Sequence, residues 1–214
     1  MNSAPYKDFG FRGHSESHMH RHFMARVLAL AGNIGPATRV LDVGCGNGAT
    51  LGVFADLGCQ VTGIDLSETG IAIARERLPD GRFEILPADE HLLTNLGVAP
   101  FDLLVSTEVI EHVYAPRLMV QGCLKALKPG GRLILTTPYH GWLKNLAISI
   151  AGKWDAHADP LWDGGHIKLW SRRTLTRLLE EAGFENIQFR GAGRLPFLWM
   201  TMAVSGDKPE EPGA

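Results

Sequence analysis

Arg39-Val40-Leu41-Asp42-Val43-Gly44-Cys45-Gly46-Asn47-Gly48 decides the fold of this chain: a short apolar run closes on an acid, then on three glycines at every second position. Aliphatic residues running together without alternation read as a strand buried on both faces, as in parallel sheets. Gly44, Gly46 and Gly48 let the backbone turn sharply and approach a ligand where a side chain would clash. Residues 49–57 then read as a helix, so backbone N–H groups at its start would face whatever fills the crevice. The spacing departs from G-x-G-x-x-G, and Asp42 before the turn would set a carboxylate beside the ligand. That suits a cationic amino-acid end better than a pyrophosphate. The next strand, Gln60-Val61-Thr62-Gly63-Ile64-Asp65, closes on a second acid. It lies about twenty residues on, where a carboxylate accepts hydrogen bonds from ribose hydroxyls.

With the strand, the acid, the glycines and the second acid in register, the chain resembles class I S-adenosylmethionine-dependent methyltransferases, whose first motif looks like V-L-D-V-G-C-G-N-G. The resemblance implies an α/β, doubly wound, Rossmann-like sheet of seven mostly parallel strands, with an antiparallel C-terminal hairpin and helices on both faces. It also implies a cofactor set. Asp42, Gly44, Cys45 and Gly46 would come from the first turn, and Asp65 with Leu66 from the second strand end. Asp89, with Glu90 as the alternate, would meet the adenine amine, and Thr107 would follow the fourth strand.

Composition bounds the rest. At 214 residues the chain is one domain, or one domain with an elaborated lid, and long enough for a full core. Hydrophobic residues at 45% and charged ones at 21% are ordinary for a soluble protein. A formal net charge of -2 leaves no global electrostatic footprint for nucleic acid. Cys45, Cys59 and Cys123 lack metal spacing, which fits a reduced, cytoplasmic setting. No signal peptide and no run of membrane-spanning length is visible.

In chain order, residues 1–35 read as a loose arm followed by an entry helix over 15–31, with Met19, Phe23, Val27 and Leu30 at helical spacing. His14, His18, His20 and His22 lie there, on a solvated face or closing over the cofactor. Arg21 and Arg26 are candidates for a carboxylate, which Arg binds as a fork. The stretch His20-Arg21-His22-Phe23-Met24-Ala25-Arg26 resembles the H-R-x-x-x-x-R entry helix of ubiquinone-biosynthesis O-methyltransferases, which implies Arg26 for the methionine carboxylate. Residues 36–138 form the cofactor core, with a helix over 69–78 and strands over 83–86, 101–106 and 132–137. Lys128-Pro129-Gly130-Gly131 reads as a turn ahead of the last of these. Residues 139–168 form an acceptor lid carrying Trp142, Trp154 and Trp162, whose small amphipathic helix is also suited to a membrane surface although it lacks a basic face. Residues 169–206 supply a helix over 175–182 capped by Ser171, then two closing strands over 184–191 and 198–205. The acidic remainder, 207–214, reads as a disordered tail.

Thr107-Glu108-Val109-Ile110-Glu111-His112 follows the fourth strand, at the sheet end that faces the ligand crevice. A helix starting near Glu108 would put Glu108, Glu111 and His112 on one face, where a shared divalent cation would satisfy them. The alternative is a plain helix start favouring Glu, with His112 alone as base. Asp163-Gly164-Gly165-His166-Ile167-Lys168-Leu169-Trp170 offers a fourth ligand. These stretches resemble two groups: the ubiquinone-biosynthesis O-methyltransferases, with E-x-x-E-H and a later His, and the small-RNA 3′-terminal 2′-O-methyltransferases, which add H-x-x-x-W. By that resemblance Glu108, Glu111, His112 and His166 are both the catalytic and the metal set, and Thr136-Thr137-Pro138 matches the intervening T-T-P. Two carboxylates and two imidazoles suit Mg²⁺ or Mn²⁺, and the imidazoles also admit Zn²⁺ or Fe²⁺.

The reading is therefore methyl transfer from S-adenosylmethionine to a hydroxyl of a small acceptor. A catechol, phenol or other vicinal diol is favoured, and the acceptor can be lipophilic. An RNA 3′ end ranks below it, because the charge is acidic and no basic, aromatic surface for single strands is seen. A silent cofactor-binding module ranks lower still.

Overall fold

The computed structural model describes Gly10, Phe11, Gly13 and residues 20–210. The expected start of the entry helix at 15, with His14, His18 and Met19, and the last residues of the tail lie outside these.

Seven strands form one sheet in the order β3-β2-β1-β4-β5-β7-β6. The strands β1 (Arg39–Val43), β2 (Gln60–Asp65), β3 (Arg82–Ile85), β4 (Phe101–Thr107) and β5 (Leu127–Pro138) pair in parallel. Strand β7 (Thr201–Asp207) runs antiparallel to β5 and to β6 (Glu185–Ala192). This is the Rossmann-like sheet with an antiparallel C-terminal hairpin that the family resemblance implies.

The strands are apolar without alternation because both faces are covered. Leu41, Val43, Leu104, Leu133 and Leu135 point into one core, with Met119 and Val120 of α5 (Pro116–Ala126) and Leu175 and Leu179 of α8 (Arg172–Ala182). Val40, Leu103, Val105 and Ile134 point into the other, with Val27 and Leu30 of α1 (His20–Ala31), Leu51 and Phe54 of α2 (Ala49–Asp56) and Ile71 of α3 (Glu68–Arg77). A short helix α4 (Leu92–Leu96) lies on the first side, and the lid carries α6 (Trp142–Ile150) and α7 (Trp154–Ala158). Sheet order reverses between β1 and β4, which opens a crevice at their C-terminal ends.

Local chemistry sets the element ends. Ser67 caps α3 by accepting from Gly70 N at 3.0 Å, and Ser171 and Thr174 form a reciprocal capping box on α8. Gly183, at φ 98°, ends α8 in the left-handed conformation expected of it.

Four expectations are corrected. No helix begins at Glu108: its φ is 55° and its N–H donates to Thr136 O, so 108–112 is a turn tied to β5. The Lys128–Gly131 stretch lies inside β5, where the pairing with β4 shifts register, and Gly130 N donates to Lys208 O on the other side. The final strand starts at Thr201 rather than 198, because Leu198 N bonds back to Leu195 O in a turn holding Arg194 and Phe197 at positive φ. The tail stays on the sheet past Gly206: Arg132 clamps Asp207 at 2.6 and 3.1 Å, and Lys208 N bonds Gly131 O.

Candidate active site

The glycine turn after β1 is held from below and leaves few donors for a ligand. The N–H groups of Gly44 and Cys45 both donate to Ile64 O, Gly48 N to Cys45 O, and Ala49 N to the Asn47 side chain. Gly46 N donates to Asp65 Oδ2 at 2.8 Å. The amides of the three turn glycines and of Cys45 are thus engaged within the chain. Shape is what the glycines provide, since a Cβ on Gly44 would sit 2.4 Å from Val109 and one on Gly46 2.5 Å from Phe11.

The two acids of the motif separate. Asp65 lines the crevice, bracing the turn through Oδ2 and the start of α3 through Oδ1, which accepts from Ser67 N at 2.8 Å. A carboxylate has about four acceptor positions, so bracing the chain and accepting from ribose hydroxyls are compatible roles. Asp42 is fully buried beneath the turn, with no hydrogen-bond partner on either oxygen, and does not border the cavity. Burial, then the charge of Asp65, raises its pKa well above the carboxylate range. The expectation of an Asp42 carboxylate beside the ligand is corrected: the β1 pleat turns that side chain into the interior.

Gly44, Cys45, Gly46, Asp65, Leu66 and Thr107 do border one cavity of about 1620 Å³. Asp89 and Glu90 do not; Leu86, Pro87 and Ala88 form that wall, and Asp89 turns back to accept from His91 N at 2.9 Å. Arg26 is exposed on α1 and also off the cavity, whereas His20 and Phe23 of the same helix border it. The helical phase explains this, since position 26 lies between the buried positions 23, 24, 27 and 30.

At the far end of the cavity, chain turns replace the expected helix face and still gather three of the four predicted ligands. One donor atom each from Glu111, His112 and His166 falls within 4.8 Å of the others. Glu111 Oε1 lies 4.0 Å from His112 Nε2 and 3.9 Å from His166 Nε2. Donors around a divalent cation sit about 3–4 Å apart at the usual bond lengths of ~2.1 Å, so this spacing admits one. Glu108 stands outside that group, and its Oε1 accepts from the hydroxyls of Thr136 at 2.9 Å and Thr201 at 2.8 Å.

The electrostatics match the donor geometry. Glu111 is 1% exposed and neither carboxylate oxygen has a hydrogen-bond partner. Thr137 lies close, but its hydroxyl is not aligned to donate. Burial, then the neighbouring Glu108, raises the Glu111 pKa well above its usual value. An orphaned buried carboxylate calls for a counter-charge. Burial, then His112, pulls His166 down to about 4, which keeps its ring neutral with a lone pair to offer. His112 Nδ1 lies 2.7 Å from Gly164 O and 3.1 Å from Gly165 O. A proton there is donated to the backbone, which leaves Nε2 facing Glu111 as the lone-pair nitrogen. The same contact draws the loop bearing His166 into place.

Sequence reasoning missed Phe11, Lys144 and Arg194 and read His157 as a hydrogen-bonding or exposed residue rather than a ligand; all four border the cavity. The available signal for Lys144 was a single cation inside an apolar helical run, Trp142 to Ile150.

Comparison with known proteins follows this geometry. A family model described as a methyltransferase domain matches residues 15–189. A ubiquinone biosynthesis O-methyltransferase of Idiomarina loihiensis is 32% identical over 157 residues, covering 72% of this chain and 64% of its own length. The chain thus spans a little under two thirds of that curated relative. Among solved structures, a chain of the complex between the Haloferax volcanii Trm112 methyltransferase activator and a methyltransferase superposes with a TM-score of 0.69 at 18% identity, covering 92% of this chain and 93% of that one. Haemonchus contortus phosphoethanolamine N-methyltransferase 2, solved with S-adenosyl-L-methionine, superposes at 0.63 and 17% identity, covering 87% of this chain and 52% of that one.

Proposed function

This chain belongs to the methyltransferase-domain family of S-adenosylmethionine-dependent enzymes, and we propose that it moves the methyl group to a hydroxyl oxygen of a small vicinal diol or catechol, with a divalent cation at Glu111, His112 and His166. The single observation that carries this reading is the orphaned Glu111 carboxylate facing two imidazole nitrogens in the cavity that the glycine turn also borders. The donor set of one carboxylate and two imidazoles suits Mg²⁺ or Mn²⁺ and admits Zn²⁺ or Fe²⁺. When bound, the cation lowers the pKa of the acceptor hydroxyl and orients it.

The chain's own residues do the rest. The glycine turn, Asp65, Leu66 and Thr107 seat the donor, and the lid excludes water from it. The acceptor oxygen attacks the methyl carbon in line, and the carbon–sulfur bond breaks with its electron pair left on sulfur. Should no cation be required, Nε2 of His112 is the base that takes the hydroxyl proton. The free, buried cysteines support a reducing, cytoplasmic setting.

The test is a methyl-transfer assay on catechol, phenol and an RNA 3′ end, with chelator and with Mg²⁺ or Mn²⁺ restored. Methylation of catechol that is lost with chelator and recovered with the ion is the expected result. Full activity in a metal-free preparation leaves His112 as base, and preferential turnover of RNA overturns the small-acceptor reading.

A lipophilic acceptor is supported by the outer face of the lid. Trp142, Leu146 and Ile150 recur every four residues on α6 with 74%, 47% and 79% of their surfaces exposed. None of the described helices is long and apolar enough to cross a membrane, so contact would be peripheral. Cosedimentation with phosphatidylcholine vesicles is expected, and Ile150→Asp should reduce it several-fold. Equal recovery of both proteins would remove the lid from that role.

A further inference from the structure

Helix α6 is turned inside out. Trp142, Leu146 and Ile150 face outward, while the buried residue of the helix is Lys144, 6% exposed, on the side where Ile148 also borders the cavity. Nζ has three protons to donate and makes one hydrogen bond, a long one of 3.3 Å to Met200 O. Among the described residues it forms no ion pair. Glu108 is the carboxylate whose charge reaches it, but Glu108 Oε1 is already engaged by the two threonine hydroxyls. Burial, then the charge of Arg194, pulls the Lys144 ammonium down to about 8.

Two other donors share that wall. Arg194 sits in the turn between β6 and β7 with φ at 56°, and its charge is felt by both Lys144 and His157. His157 Nε2 is buried with no hydrogen-bond partner. Lys144, His157 and Arg194 all border the cavity that holds Glu111, His112 and His166. The cavity therefore has two poles: one of carboxylate and imidazole, and one of donors that repel each other and are met only by the long bond from Lys144 to Met200 O. A divalent cation would balance Glu108 and Glu111, leaving Lys144 and Arg194 in excess. A pair of cations gathered around a void is the arrangement that binds an anion, Arg as a fork and Lys as a point charge.

We propose that Lys144 and Arg194 bind an acid group of the methyl acceptor, so that the substrate is a dihydroxy compound carrying a carboxylate. The inference rests on the hydroxyl-transfer reading above and narrows it. Lys144 and Arg194 are specificity-determining residues, and His157 Nε2 completes the site by donating to the same carboxylate when its tautomer carries the proton there.

The test compares catechol with 3,4-dihydroxybenzoate as acceptors for the full chain with S-adenosylmethionine and Mg²⁺. The wild type is expected to favour dihydroxybenzoate by ten-fold or more in kcat/KM, expressed mainly in KM. Lys144→Met should reduce that preference at least ten-fold, Lys144→Arg should retain part of it, and Arg194→Ala, at an exposed position, should reduce it without disturbing the fold. Calorimetry with S-adenosylhomocysteine present supplies a second readout, in which dihydroxybenzoate binds the wild type and binds Lys144→Met at least ten-fold more weakly. Turnover of catechol with no preference for the acid, or an unchanged preference in both Lys144→Met and Arg194→Ala, overturns the inference and leaves hydroxyl transfer standing. Turnover of neither compound overturns both.

Discussion

Glu111→Gln is expected to lower methyl transfer by about 10²–10³-fold, the loss of a Lewis-acid contribution of several kcal/mol at 1.36 kcal/mol per decade. The substitution keeps the size of the side chain and removes the negative charge that a cation between it and the two imidazoles would meet. Affinity for S-adenosylhomocysteine should stay within a factor of about two, because the donor seat is built by residues 44–46, 65, 66 and 107 at the other end of the cavity. Stability discriminates between roles. A carboxylate with no hydrogen-bond partner, 1% exposed, adds nothing to the fold that Gln lacks. The unfolding temperature of the metal-free variant should therefore match or exceed that of the metal-free wild type. With saturating Mg²⁺ or Mn²⁺ the order should reverse, since the wild type alone gains binding free energy in the native state. A variant that is unstable without metal, or active with a flat response to added ion, would show that Glu111 serves packing and not a cation.

Asp65→Ala should weaken S-adenosylhomocysteine binding by about a hundred-fold or more, because the carboxylate performs two tasks at once. It accepts from Gly46 N and Ser67 N at 2.8 Å each, so its loss leaves two backbone donors without partners. Each such loss costs about 1–3 kcal/mol, and ribose hydroxyls would lose their acceptor in addition. Asp65→Asn is not a silent control: one amide oxygen replaces two, and its NH₂ would face a backbone N–H. It should fall between the wild type and Asp65→Ala in both affinity and melting temperature. Loss of stability with cofactor affinity unchanged by calorimetry would limit Asp65 to bracing the turn.

The reading of individual residues shows where sequence suffices. The strand–acid–glycine run and the recurrence of β and α patterns specify the sheet, because an apolar run without alternation has to be covered on both faces. Ser171 and Gly183 were legible for the same kind of reason: caps are decided within four residues of chain. Glu108 shows the opposite case. Its spacing to Glu111 and His112 invites a helix, yet a long-range bond from its N–H to Thr136 O bends the chain the other way. The ligand group survives that error because the turn and the lid loop, joined through His112 Nδ1 and Gly164 O, bring the same side chains together from different backbone directions.

Asp42, Arg26 and Asp89 stand off the cavity for a related reason. Each stands where a motif places a functional group, and pleat, helical phase or an Asx turn sends the side chain elsewhere. Lys144 was illegible because a lysine in an apolar helix ordinarily points to water, and only the docking of the lid inverts the helix.

By itself, then, the sequence determined the alternation of strands and helices and the glycine turn, since those follow from periodicity and from backbone freedom at particular residues, while the seven-stranded sheet and its hairpin were implied by the family resemblance. Tertiary structure alone decided which charges meet in the cavity: that Glu111 is orphaned beside two imidazoles, that Asp42 is sealed away and that Lys144 faces inward. Side-chain direction is set by packing between segments far apart in the chain, and no local pattern encodes it.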